Sequence, residues 1–98
     1  MSDNIIGPAF WDRVDGIINT ANSQCDAAQA TEVGASTLFA AARFNTFLLA
    51  QGMGKGQDLA DEKERALDYF TAQFRDMMNA NIDDFIKNFE QYMLPDQP

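Results

Sequence analysis

The stretch LFAAARFNTFLLA, Leu38 to Ala50, leaves little freedom in what this chain can fold into. It holds three phenylalanines, a run of three alanines and a pair of leucines, against three polar residues, Arg43, Asn45 and Thr46. At about 100° per residue, Leu38, Ala41, Phe44, Phe47, Leu48 and Leu49 sweep over more than half of a helix surface. A helix with so little polar surface belongs in an interior, with other helices packed around it. The expected fold is therefore all-α, a small bundle of three to four helices around a central apolar helix at about 35–51. At least one of Phe44 and Phe47 should lie deep inside it.

The flanking segments read as the cover. Gly7-Pro8 opens a helix, with Pro8 at the first helical position, where a missing N–H costs nothing. Phe10, Val14, Ile17, Ile18, Ala21 and Cys25 then recur at steps of three and four, which predicts an amphipathic helix over about 8–28. Cys25 falls on the apolar stripe and is expected as a small buried hydrophobe. Thr31 or Ser36 is available to cap the central helix. The run GMGKGQD, residues 52–58, is the clearest breaker, and Asp58 suits the N-cap of the helix that follows.

Beyond Asp58, one stripe is formed by Leu67, Phe70, Phe74, Met77 and Met78, continued by Ile82, Phe85, Phe89 and Met93. Asn79-Ala80-Asn81 is poor helix interior, and Asn81 with Asp84 resembles a capping pair, so helices are predicted over about 58–79 and 82–94. Asp61 with Arg65, and Asp83 with Lys87, are acid-before-base pairs at i,i+4. The chain reads as a single helical domain, 1–98, with frayed tails at 1–6 and 95–98.

Fifteen acids against seven bases give a net charge of −8, with no basic patch, which disfavours nucleic acid and anionic membranes. A single cysteine excludes an internal disulfide, and the N-terminus lacks the basic start and apolar run of a signal peptide. No apolar run looks long enough to span a bilayer. The expected location is the cytoplasm.

Catalytic chemistry finds little to work with. There is no histidine, hence none of the commonest general base, nucleophile activator and metal ligand. The Gly52–Gly56 loop has the glycines and the lysine of a phosphate cradle, but Gly56 stands where Ser or Thr is needed, and Asp58, Asp61 and Glu62 would repel a phosphate. Ser36-Thr37-Leu38 resembles the phosphopantetheine site of acyl carrier proteins, but the Asp-Ser-Leu triplet is missing and the helix after it is nearly uncharged. The protein is expected not to be an enzyme, with no catalytic, cofactor-binding or metal-binding residues and no cofactor.

Four residues stand out as candidates for interaction or for structural polarity. Asn45 lies between apolar neighbours; its amide is expected to be buried, bonding another helix or holding a ligand. Arg43, the only charge of the central segment, is expected to bridge to an acid of the 58–79 helix or to recognise an anionic partner. Trp11 and Phe10 cannot both face inward, so one caps a bundle end or anchors an interface. Phe85 marks the surface that a second subunit would cover if the helix runs unbroken through Asn79–Asn81.

Four segments carry a family likeness: Phe10-Trp11-Asp12-Arg13-Val14-Asp15, Ala40-Ala41-Ala42-Arg43-Phe44-Asn45, Asp68-Tyr69-Phe70 and Asn81-Ile82-Asp83-Asp84-Phe85. Through them the chain resembles a family of small acidic bacterial proteins of unknown function, over most of residues 9–93. That resemblance implies no activity and no functional residue. The expected role is a cytoplasmic interaction or scaffold protein with an unknown protein partner and possible homo-oligomerisation. The alternatives are an acidic inhibitor or DNA mimic on a basic surface, and a small-ligand carrier with a cavity near Asn45.

Overall fold

The structure, a computed structural model, describes residues 6–94. It is all-α: α1 (Pro8–Gln24), α2 (Ala30–Gln51), α3 (Gly56–Lys87) and a short α4 (Phe89–Met93), with no strand among the described residues. The chain divides into two units, Met1–Gly52 and Met53–Pro98, at the glycine-rich connector that the sequence marks. The tails expected at 1–6 and 95–98 lie outside the described residues, apart from the exposed Ile6.

In the first unit Pro8 opens α1 after Gly7, whose backbone is extended. The helix ends at Gln24, earlier than the 28 expected. Its last turn relaxes into bonds of the i→i+3 type, with Cys25 N–H donating to the Asn22 carbonyl at 3.1 Å and Asp26 N–H to that of Ser23 at 3.2 Å. Helix α2 begins at Ala30 rather than near 35, and neither Thr31 nor Ser36 caps it. Gln29 takes the N-cap position, and its backbone N–H donates to the Glu32 carboxylate at 3.0 Å. Glu32 thereby satisfies a backbone donor and places negative charge at the positive end of the helix dipole.

The burial expected for α2 is not found. Val33 is the buried residue among those described, at 7% exposure, whereas Phe44 and Phe47 are 65% and 60% exposed. The reason lies in the helix itself: apolar side chains emerge on all sides of α2, and a unit of two helices offers a neighbour to one side only. Cys25 is exposed as well, its Sγ donating to the Ala21 carbonyl at 3.6 Å, contrary to the buried position expected.

In the second unit α3 starts at Gly56, and Asp58 sits inside its first turn rather than at the N-cap, accepting the Gly54 N–H at 3.2 Å. The predicted break at Asn79–Asn81 does not occur, and α3 runs on to Lys87. Asn81 stays helical because its Nδ2 donates to the Met77 carbonyl at 2.8 Å, so the amide is satisfied on its own helix. The interruption falls at Asn88, with φ −115° and ψ 29°, and α4 follows at once. Neither i,i+4 ion pair forms: Arg65 pairs with Glu62 at 3.6 Å, while Asp61 accepts from Gln57 at 2.9 Å.

Two substitutions test these local assignments. Gly16 lies inside α1, and a Cβ there would meet nothing within 4 Å. Gly16→Ala should raise stability by about 0.5–1 kcal/mol, since alanine orders more cheaply in a helix than glycine. Glu32→Ala should lower it by about 0.5–1 kcal/mol through loss of the cap. Urea unfolding followed by circular dichroism reads both; a Gly16→Ala chain less stable than wild type would mean that something approaches α1 at that point.

Candidate functional site

Surface chemistry here begins with how the polar side chains satisfy themselves. Thr20, Ser23, Thr37, Asn45, Thr46 and Asn81 each donate to the carbonyl four residues earlier, at 2.7–3.1 Å. Each of these bonds stays within one helix, so the groups offer fewer donors to the outside than composition suggests. The helices consequently present drier faces than a count of their polar residues implies.

On α2, Leu38, Phe39, Phe44, Phe47 and Leu48 are all exposed. The helix has 22 residues, and its most apolar 18-residue stretch has a mean hydropathy of 1.2, so by length and composition it could cross a membrane. The sequence reading found no apolar run of about 20 residues; α2, Ala30–Gln51, meets that length with Glu32 and Arg43 inside it.

On α3 the pattern is one-sided. Leu67, Phe70, Phe74, Met77, Met78 and Ile82 fall, with Phe85, within an arc of roughly 140°, and Phe89 follows on α4 beyond the interruption at Asn88. Every one of them is exposed. Near the C-terminal end of the stripe, Asn81, Ile82, Phe85, Ile86 and Phe89 line a shallow apolar hollow of about 400 Å³.

The junction of α3 and α4 is held by Asp84. Its carboxylate accepts from Asn88 Nδ2 at 2.8 Å through one oxygen and from the Tyr92 hydroxyl at 2.7 Å through the other. The Tyr92 ring stacks on Phe85, with centroids 4.4 Å apart and planes at 24°. A carboxylate accepting the phenol stabilises the protonated form, so the Asp84 hydrogen bond, helped by desolvation and by the charge of Asp84, holds Tyr92 above its ordinary pKa.

The candidate residues are placed as follows. Trp11 is 55% exposed and meets the half-buried Phe10 edge to face, centroids 4.8 Å apart. Arg43 is exposed and belongs to no ion pair among the described residues, so the expected salt bridge is absent. Asn45 is half-buried rather than buried, and its Nδ2 donates to Ala41 of its own helix at 2.8 Å, not to a neighbour. Phe85 is 42% exposed at the stacked junction. No hydrogen bond joins any two of the four among the described residues, and the apolar hollow lies on α3 rather than beside Asn45. Sequence reasoning missed Asn88 and Tyr92; the i, i+4, i+8 spacing of Asp84, Asn88 and Tyr92 was the signal.

The fold and these surfaces define a small all-helical protein with exposed apolar helix faces. Residues 10–86 match the family described as "Protein of unknown function (DUF3144)", and the chain belongs to that family. It is similar to the protein NB7890A from Shewanella sp., solved by NMR, with 28% identity and a TM-score of 0.73 over 95% of this chain and 99% of that one. No curated protein matches it.

The Asp84 junction makes a pH prediction. Because Tyr92 has a raised folded-state pKa, the contribution of its hydrogen bond is fully present below the unfolded value of about 10 and is lost as pH rises through the folded value. Tyrosinate absorbance should show Tyr92 titrating later in wild type than in Asp84→Ala. Identical titrations would mean that the bond does not persist in solution.

Proposed function

We propose that this protein acts by binding other proteins, not by catalysis, and that it does so in the cytoplasm through its apolar helix faces. The observation behind this reading is the imbalance between Val33, the buried side chain, and the exposed phenylalanines of both units, Phe39, Phe44 and Phe47 in one and Phe70, Phe74 and Phe89 in the other. Large contiguous apolar surface on a soluble chain marks interaction sites. The dry character of these faces adds to the support, since covering them breaks few hydrogen bonds to water.

A membrane setting for α2 is disfavoured by Arg43, eight residues from the C-terminal end of the helix, and by Glu32 in its first turn. A charge near the bilayer centre costs about 2.5–3.5 kcal/mol, and the net charge of −8 is repelled by anionic lipid.

The acidic-mimic reading draws on that same charge. Asp58, Asp76 and Asp83 lie on the side of α3 opposite the apolar stripe, but Arg65 and Lys87 share that side, and an unbroken row of phosphate-like charges would not contain them. The reading by apolar contact is therefore preferred.

The test is photo-crosslinking in cells from single positions on the full chain. Probes at Phe44 and Phe74 should give discrete cross-linked protein species by mass spectrometry, and a probe at Asp76 should not. Loss of all such species from both apolar positions, or capture of lipid in their place, would overturn the proposal.

A further inference from the structure

We propose that α3 docks on a second copy of this chain, apolar stripe against apolar stripe, with Asn81 meeting its counterpart near the twofold axis. The inference rests on the binding function above and names its partner. Its first support is the position of Asn81. At about 100° per residue, Asn81 falls within roughly 20° of both Phe70 and Phe74, inside the stripe rather than beyond its edge. One N–H of the amide is used on the Met77 carbonyl, which leaves the other N–H and Oδ1 without a protein partner among the described residues. An amide is donor and acceptor at once, so it complements a copy of itself, and a twofold axis is the operation that brings a residue to its own copy. An unrelated partner would have to supply that amide separately; a second copy carries it.

The second support is spacing. Leu67, Phe70, Phe74, Met78, Ile82 and Phe85 recur at steps of three and four along α3. Leu67 and Phe85 stand 18 residues apart, about five turns at 3.6 residues per turn, so the stripe holds one line along α3. At 1.5 Å per residue that line is about 27 Å long, and two copies set parallel, Asn81 beside its counterpart, match it in length. Area is the third support. The stripe side chains are 39–54% exposed. At roughly 150–250 Å² for each large side chain, the stripe leaves on the order of 700 Å² in solvent, close to the ~800 Å² per partner of a standard stable interface. Charge on α3 is divided: Asp58, Asp76 and Asp83 sit on the far side from the stripe, Asp68 and Asp84 flank it, and Glu64 precedes it in line.

The experiment is sedimentation equilibrium of the full chain over a range of concentration and salt. Wild type should show a monomer–dimer equilibrium that tightens as salt rises, since two chains of charge −8 repel and salt screens them. Phe85→Asp should weaken the dimer about 100-fold or more, and Asp76→Ala, on the outer face, should leave a dimer. Asn81→Leu should associate more tightly but as a mixture of oligomers, as expected when a register-setting amide is removed from an apolar seam. Should Phe85→Asp lose its helical circular dichroism, wild type supplies the decision. A mixture of labelled and unlabelled chains should give intermolecular NMR contacts from the Met78 and Ile82 methyls. A monomer at all concentrations and salts, a dimer indifferent to a folded Phe85→Asp, or absence of those contacts would overturn the inference. A monomer that still cross-links other proteins in cells would overturn the second copy alone and leave the binding function standing.

Discussion

Apolar surface that a pair of helices cannot cover is the constraint from which the rest of this structure follows. A helix buries side chains only where a neighbour lies against it, and α2 carries phenylalanine or leucine on every side. With α1 as its one neighbour in the first unit, Val33 is enclosed and Phe44, on the same face but three turns further on, remains in solvent. Helix α3 has only the five residues of α4 beside it within its own unit. Stability from hydrophobic transfer, about 25 cal/mol for each Å² removed from water, is therefore largely unrealised inside each unit.

The polar residues follow from the same constraint. A threonine or asparagine on an apolar face must find a partner or leave that face wet. In α2 and α3 these side chains turn to the carbonyl one turn back, as Thr46 does to Ala42 and Asn81 to Met77, both at 2.8 Å. Such bonds slightly weaken a helix, yet they let polar residues sit in it without interrupting it. The uninterrupted α3 then carries its stripe past Asn81 to Phe85, where Asp84 binds Asn88 and Tyr92 and ends the helix.

Much of the fold was legible in the sequence. The all-α class, the start of α1 at Pro8 and the helix break at Gly52–Gly56 all come from local chemistry, where a proline, a glycine run or a three- and four-residue period acts within one turn. The break at Asn79–Asn81 was misplaced because propensity counts asparagine against a helix without knowing that its amide will bond four residues back. The cap of α2 was missed for a related reason: Glu32 reaching back to Gln29 is as good a start as Thr31 or Ser36, and composition does not rank them. Burial was the least legible property. Periodicity says which residues share a face, but whether Phe44 or Cys25 is covered depends on how many neighbours the chain provides, which no single helix encodes. Asn45 illustrates both errors at once, since it was expected to be buried with a partner across an interface and is half-buried with a partner on its own helix.

Charge bears on how such surfaces meet a partner. Chains with several exposed phenylalanines would associate without selectivity if nothing opposed them. A net charge of −8 opposes the approach of other acidic chains, its own copies included, over about 10 Å at 0.1 M salt, while apolar attraction acts only at contact. An encounter survives only where the apolar area gained on contact exceeds the repulsion, and the geometry decides where that is. On α3 the acids Asp58, Asp76 and Asp83 lie opposite the stripe, so a partner seated on the stripe is held as far from them as one helix diameter allows, about 10 Å. A partner approaching the opposite side of α3 meets these acids together with Arg65 and Lys87. On α2 no such partition exists, because Arg43 is the only charge among residues 38–50 and apolar side chains surround it. Selectivity should therefore reside in α3, whose face is defined by charge as well as by shape, and α2 should accept whatever geometry that first contact imposes.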